Sequence, residues 1–188
     1  MSELTITHNG IAQTAKTSSD KKGGKIVTVT PVVTVGTTSA DSVLFISTEI
    51  PNAVRIKGGV SKLMGFSLIN YDLEKHDMDL VFTQKQQNLG SINSTPDTND
   101  ALMRASKILG ISKIDYSDQS VDITTGTNVL STFSAVGATG SNIWRFSPML
   151  VQAAEDSTSI YISAVAREDI DFAAANDLEI ILHFEYLD

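Results

Sequence analysis

From Lys25 onward the chain alternates. In KIVTVTPVVTV, Ile26, Thr28 and Thr30 fall on one face, and Val27, Val29 and Pro31 on the other. That is the period of two of a half-buried pleated strand. Pro31 has no N–H to give to a ladder, so it marks an edge or a bulge. SVLFISTEI (residues 42–50) and AVRIK follow. In KLMGFSLIN, Leu63, Gly65, Ser67 and Ile69 face opposite to Met64, Phe66 and Leu68. DMDLVFTQ puts Met78, Leu80 and Phe82 on one face, and NIWRFSPMLVQA, TSIYISAVAR and LEIILHFEYL add three more strands. In the last of these, Leu178, Ile180, Leu182, Phe184 and Tyr186 oppose Glu179, Ile181, His183 and Glu185, as in a sheet with one buried face.

One stretch breaks the period. In STPDTNDALMRASKILGIS, Ala101, Leu102, Ala105, Ile108 and Leu109 follow helical spacing. Thr98 or Asn99 can cap its start and Gly110 fits just past its end, which predicts a helix of about three turns over residues 98–109. A second, weaker helical pattern lies at Asn128–Ser134. Strands separated by turn residues, with a single clear helix, predict an all-β fold of the β-sandwich or jelly-roll kind.

The first 24 residues differ. TAKTSSDKKGGK is polar, with Lys16, Lys21, Lys22 and Lys25 around Asp20. Residues 1–24 are therefore read as a flexible or extended arm and 25–188 as the sandwich domain. ELTITH within the arm can add a strand to an edge that a partner offers.

Composition narrows the function. There is no cysteine, so disulfides, thiolate metal sites and a cysteine nucleophile are excluded. The net charge of −8 is uneven. From Met1 to Lys113 there are 12 Lys/Arg and 10 Asp/Glu; from Ile114 onward there are 2 and 12. The acidic part repels a phosphate backbone, so no nucleic-acid partner is expected. An acidic face can instead serve solubility or meet a basic partner surface. No run approaches the apolar length of a membrane span, so no membrane partner is expected either. MSELTITHNGIAQ has neither the charged start nor the apolar core of a signal peptide.

Candidate chemistry is thin. AVRIKGGVSKLMGFSLIN sets Gly58-Gly59 between Lys57 and Lys62. A phosphate loop needs G-x-x-x-x-G-K-[ST] before a helix; here the lysines are at the wrong offsets and a strand pattern follows. The reading is a hairpin turn with Gly58 and Gly59 at positive φ and the lysines as edge charges. KKGGK (residues 21–25) fails the same pattern. The histidines are His8, His76 and His183, and none sits in a zinc or triad motif. Asp77/Asp79 and Asp169/Asp171 have the spacing that puts two carboxylates on one side of an extended chain. With Glu168 and Asp177, the second pair is the better calcium candidate, although the glycine and terminal glutamate of an EF-hand loop are missing. A glycosidase pair lacks aromatic walls, with aromatics at 6% and a single Trp144. No catalytic, cofactor-binding or metal-binding residue is assigned, and no cofactor is expected. QKQQNLGSINSTPDTND (residues 84–100) is a long amide-rich loop of the kind that makes contacts.

Six segments carry a resemblance: Ile56–Gly59, Phe66–Asn70, Asp79–Phe82, Asn88–Gly90, Ala101–Leu109 and Ser159–Ala164. A strand into a Gly-rich turn, a strand ending in asparagine, a D-x-V-F strand, an N-L-G loop, a short helix and an S-I-Y-x-x-A strand occur in that order. Over residues 40–188 the chain resembles small structural proteins of tailed bacteriophages, in particular head decoration or auxiliary capsid proteins. The resemblance implies a non-enzymatic sandwich used for assembly in a virion built in the host cytoplasm. It implies the major capsid protein or other virion proteins as partners, and a homo-oligomer, with a trimer as the expected cyclic form. The arm and Asn88–Asp100 are the expected contact segments. The alternative is a tail, collar or fibre component that binds a surface glycan.

Overall fold

A computed structural model describes residues 3–8, 11–16, 23–72, 76–115, 121–122, 129–134 and 148–187. At 3–8, 11–16, 121–122 and 129–134 it is the backbone path and its pairing that are described. The fold is all-β with a single helix in these residues, as expected. The strands are β1 (Glu3–His8), β2 (Ile11–Lys16), β3 (Gly24–Val29), β4 (Gly36–Thr38), β5 (Val43–Ile50), β6 (Val60–Asn70) and β7 (Met78–Thr83). After helix α1 (Asp100–Ser106) come β8 (Ile108–Ile114), β9 (Val121–Asp122), β10 (Val129–Ser134), β11 (Met149–Gln152), β12 (Ile160–Ala166), β13 (Ile170–Phe172) and β14 (Leu178–Tyr186).

Two antiparallel sheets form the body. One has the order β3-β14-β6-β10-β9, with β11 beside β10 on the same side of β6; the other has the order β5-β12-β7-β8. β3 lies over β5 and β11 over β8, so the sheets stack edge to edge. Their inner faces share one core, centred on the fully buried Phe45, Phe66, Phe82 and Phe172 with Leu63, Leu80, Ile160, Ile162, Ile180 and Leu182. This is a β-sandwich.

Alternation held where strands are regular and failed at bulges. Met78, Leu80 and Phe82 all point into the core, as do Leu178, Ile180, Leu182 and Phe184. In β6 the phase changes. His183 of β14 pairs with Gly65 and Phe184 with Leu63, so Met64 is an extra residue. Leu63 before the bulge and Phe66 and Leu68 after it therefore share the inner face, and the period-two assignment of Leu63 with Ser67 and Ile69 is corrected. β5 carries two such shifts against β12, which lets Leu44 and Phe45 both reach the core while Val43 is buried on the other side.

Four further expectations are corrected. The helix is seven residues long, capped by Asn99, whose side chain accepts from the Leu102 N–H. Ile108, Leu109 and Gly110 belong to β8 instead. The weak helical pattern at Asn128–Ser134 is strand β10. Pro31 and the residues after it leave the sheet, since β3 ends at Val29, and AVRIK is a run of turns. In NIWRFSPMLVQA, Met149–Gln152 is strand as expected, and residues 142–147, with Trp144, lie outside the described residues. Within the arm, β1 and β2 pair with each other in a hairpin, from Glu3↔Lys16 to His8↔Ile11.

Candidate functional site

The sandwich has two ends, and the chain crosses between sheets at both. At one end several crossings meet, among them β3 to β5, β6 to β7, and β12 to β14. Two of them pair directly as the ribbon β4–β13, with Ile170 opposite Thr38 and Phe172 opposite Gly36. Backbone pairs add to it, with Val33 N–H to Ala175 O at 3.0 Å, Tyr71 N–H to Asp177 O at 2.8 Å and Arg167 N–H to Asp77 O at 2.9 Å, and carboxylates supply further ties. Asp169 accepts from the Ala40 N–H at 2.9 Å, Glu168 from the Asp77 N–H at 2.8 Å, Asp72 from the Ala173 N–H at 2.7 Å and Asp177 from the Ala174 N–H at 2.5 Å. Arg167 binds two more. Its Nε and Nη2 reach Asp79 at 2.8 and 2.6 Å, and its Nη1 reaches Asp41 at 2.7 Å. These charge-assisted bonds, Asp79 first and then Asp41, raise the Arg167 pKa further above its ordinary value.

The acidic pairs singled out in the sequence thus sit together, with Asp41 and Asp72 added. Asp72, Glu168, Asp169 and Asp177 hold backbone, and Asp41 and Asp79 hold Arg167. Asp171 is exposed on β13, away from the ties. Among the described residues no three His, Asp or Glu side chains converge as metal ligands. His76 is buried at the same end, its Nδ1 3.5 Å from Glu168 and its ring edge-on to Phe172. His183 is exposed on the outer face of β14, opposite Gly65 and Ile26. His8 lies in β1.

At the opposite end the glycine turn is a clasp, not a hairpin. β5 and β6 belong to different sheets, and residues 51–59 carry the chain across. The Gly58 N–H donates to the carbonyls of Ala154 and Ser157, both at 3.0 Å, and Val54 N–H to Thr158 O at 3.1 Å. Gly59 O accepts from Ala153 N–H in return. Gly58 has φ +70°, and a Cβ there would lie 3.2 Å from the Glu155 Cα, so both conformation and space require glycine. Gly59 has no positive φ, a correction to the pair reading. Lys57 is exposed, while Lys62 lies 3.6 Å from Glu185 across β6–β14.

Beside this clasp is an open groove of about 280 Å³, lined by Gln84, Lys85, Gln86, Ala154, Asp156 and Tyr161. It continues past Lys107 and Gln152. Burial first, then Glu49 and Asp156, raise the Tyr161 phenol above 10.0. No sequence motif marked this groove, because its lining comes from segments far apart in the chain: the stretch after β7, the turn before β12, and β12 itself.

The long loop lies along the outer face of the four-stranded sheet. Leu89 packs on Val43, Val81 and Val165, with Met103 of α1 alongside. Asn93 N–H donates to Val43 O at 2.8 Å and Val43 N–H to Ser94 O at 2.9 Å, so the loop closes the edge of β5. Asn88–Asp100, expected as a contact segment, is therefore also a structural cover.

β8, at the other edge of that sheet, has Met149 of β11 against Gly110 but no strand or loop bonded to its outer edge among the described residues. Ile108 and Ile111 are 46% and 62% exposed, and Leu150 of the neighbouring β11 is 62% exposed. Sequence reasoning missed this edge by reading Ile108 and Leu109 as helix. No family model matches the chain, and no curated protein matches it.

Proposed function

We propose that this chain is a non-enzymatic structural protein of a phage virion, an auxiliary or decoration protein that binds the capsid and stabilises the head. The observation that carries the reading is the strand order. With β9 and β10 set aside as an addition to the first sheet, and β3, β5, β6, β7, β8, β11, β12 and β14 numbered from one to eight, the sheets run 1-8-3-6 and 2-7-4-5. Two Greek keys wound together give that order. It supports a jelly roll, the architecture of many viral capsid and lectin domains. The resemblance of residues 40–188 to phage head proteins supports the same reading.

The surface agrees with assembly chemistry. One end gathers Asp41, Asp72, Asp77, Asp79, Glu168, Asp169, Asp171 and Asp177 around Arg167. Such an end fits a basic partner surface and steers approach to it. Co-sedimentation of the purified protein with empty shells of its source phage tests the idea. Saturable binding that weakens with salt is expected. Failure to bind, together with absence from virions, overturns it. Binding to host-surface glycans without binding to shells would move the protein to the tail.

A further inference from the structure

Two features of the chain are incomplete in complementary ways. The first is the N-terminal hairpin. β1 and β2 form a two-stranded sheet of their own and pair with no other strand among the described residues. A lone two-stranded hairpin is marginal in water and needs a third strand or a packing surface. Its β1, ELTITH, alternates Leu4 and Ile6 with Thr5 and Thr7, a good strand composition.

The second is β8. Six of its seven residues pair with β7 on one side, from Met78↔Ile114 to Thr83↔Ile108, with a register shift that leaves out Leu109, and among the described residues nothing bonds the other side. The strand is ILGISKI, with Lys113 as its one charge and with Ile108 and Ile111 exposed. Natural edges are usually blocked by a cover, a bulge or several charges. β5, at the opposite edge of the same sheet, has its cover in Asn93 and Ser94. Beyond the shift at Leu109, Gly110–Ile114 is a regular run with one charge, and such an open edge is a template for an added strand.

We propose that β1 of one copy adds to the open edge of β8 in a second copy of this chain. Charge selects β1 over β2: β1 has Glu3 and no lysine or arginine, whereas β2 ends in Lys16, and β8 presents Lys113. Position favours a second copy over the same chain. The hairpin is tethered just before β3, which lies over β5, at the margin of the sandwich opposite β8. The edges of the six-stranded sheet are less suited among the described residues: β3 offers a single exposed isoleucine, Ile26, beside Lys25, β11 is only four residues long and β9 two. The contact is heterologous, hairpin to edge, so repetition closes a ring or a mutual pair. It holds whether or not the partner shell is a capsid.

Sedimentation velocity of the full chain over a wide concentration range tests this, with two variants that leave the core untouched. Ile111→Lys charges the exposed edge, and Thr5→Pro removes an N–H within β1 and its extended pairing. The wild type is expected to associate and each variant to sediment as a monomer with an unchanged melting temperature. An equimolar mixture of the two variants restores association, because one supplies an intact hairpin and the other an intact edge. Ile108→Lys replaces Ile111→Lys should the latter lower the melting temperature. A wild type that stays monomeric throughout overturns the proposal. So does association lost only in the edge variants, which means edge-to-edge pairing. So does association lost only in Thr5→Pro, which means hairpin-to-hairpin pairing, and so does a mixture that fails to associate.

Discussion

At the scale of single residues, Arg167 shows how the acidic end works. It is the one arginine among the carboxylates there, and it joins the β4–β5 turn, through Asp41, to β7, through Asp79. The two partners differ in burial: the Asp79 side chain is 17% exposed and Asp41 77%. Solvent screens the second pair far more than the first. Arg167→Ala should therefore cost about 1–2 kcal/mol, mostly through the carboxylate left unpaired at Asp79. Asp41→Ala should cost less than about 0.5 kcal/mol. Urea unfolding midpoints measure both, and equal losses would refute the burial argument. Tyr161 sits in a different electrostatic setting. It is cross-strand from Glu49, whose Oε1 accepts from the Ser159 hydroxyl at 2.6 Å. Burial and the carboxylates favour the neutral phenol. Its folded pKa is above the unfolded value, so the stabilisation is present below pH 10 and lost as pH rises through the raised value. Absorbance titration should show a late-ionising tyrosine that is missing in Tyr161→Phe and shifted down in Glu49→Gln.

At the scale of elements, the junction of α1 and β8 explains where pattern reading succeeded and failed. Asn99 was legible as a cap because a side-chain acceptor before a run of Ala, Leu and Met has a local cause. The helix end was not legible. Lys107, at the C-cap, has φ 53° and ψ 97°, a left-handed conformation that glycine takes with less strain. A helical count over Leu102, Ala105, Ile108 and Leu109 runs straight through that position. The better signal was the density of β-branched residues in ILGISKI, which favours a strand. Lys107→Gly should therefore stabilise the protein by up to about 1 kcal/mol, read as a higher melting temperature, despite the greater chain entropy of glycine. A destabilised variant would mean that the lysine side chain holds the turn. The same contrast runs through the sheets. Met78–Thr83 and Leu178–Tyr186 were legible because regular pleating repeats every two residues. β6 was misphased because a bulge at Met64 depends on its partner β14, which lies more than a hundred residues away. The glycine clasp failed for a similar reason: Gly58 answers to Ala154 and Ser157, not to its neighbours.

At the scale of the whole molecule, the two ends divide the work of closing the sandwich. The glycine end is tied by backbone to backbone, through Gly58, Val54 and Ala153. The acidic end is tied by backbone pairs too, such as Val33 to Ala175 and Tyr71 to Asp177, but adds carboxylates bound to backbone and to Arg167; at least eight Asp or Glu gather there, with Arg167 and Lys113, opposite Asp79, as the cations among its described residues. Asp72, Asp79, Glu168, Asp169 and Asp177 are fixed by their bonds and cannot move apart, so their mutual repulsion is built into the folded state. The unfolded chain relieves it by separating the crossings. Salt screens repulsion over about 10 Å at 0.1 M, and more tightly above that, whereas short bonds such as Asp79 to Arg167 are screened less. Stability should therefore rise with sodium chloride, by about 1 kcal/mol, or about 2–4 °C in Tm, between low and physiological ionic strength. Asp171→Asn should remove part of that dependence, because Asp171 is exposed on β13 and adds charge without holding backbone. Asp169→Asn should behave otherwise, lowering Tm at every salt concentration, because its carboxylate closes the Ala40 turn. A melting temperature that falls with salt would mean that the Arg167 pairs outweigh the repulsion. The end would then be held by net attraction, and a basic partner would gain little by docking there.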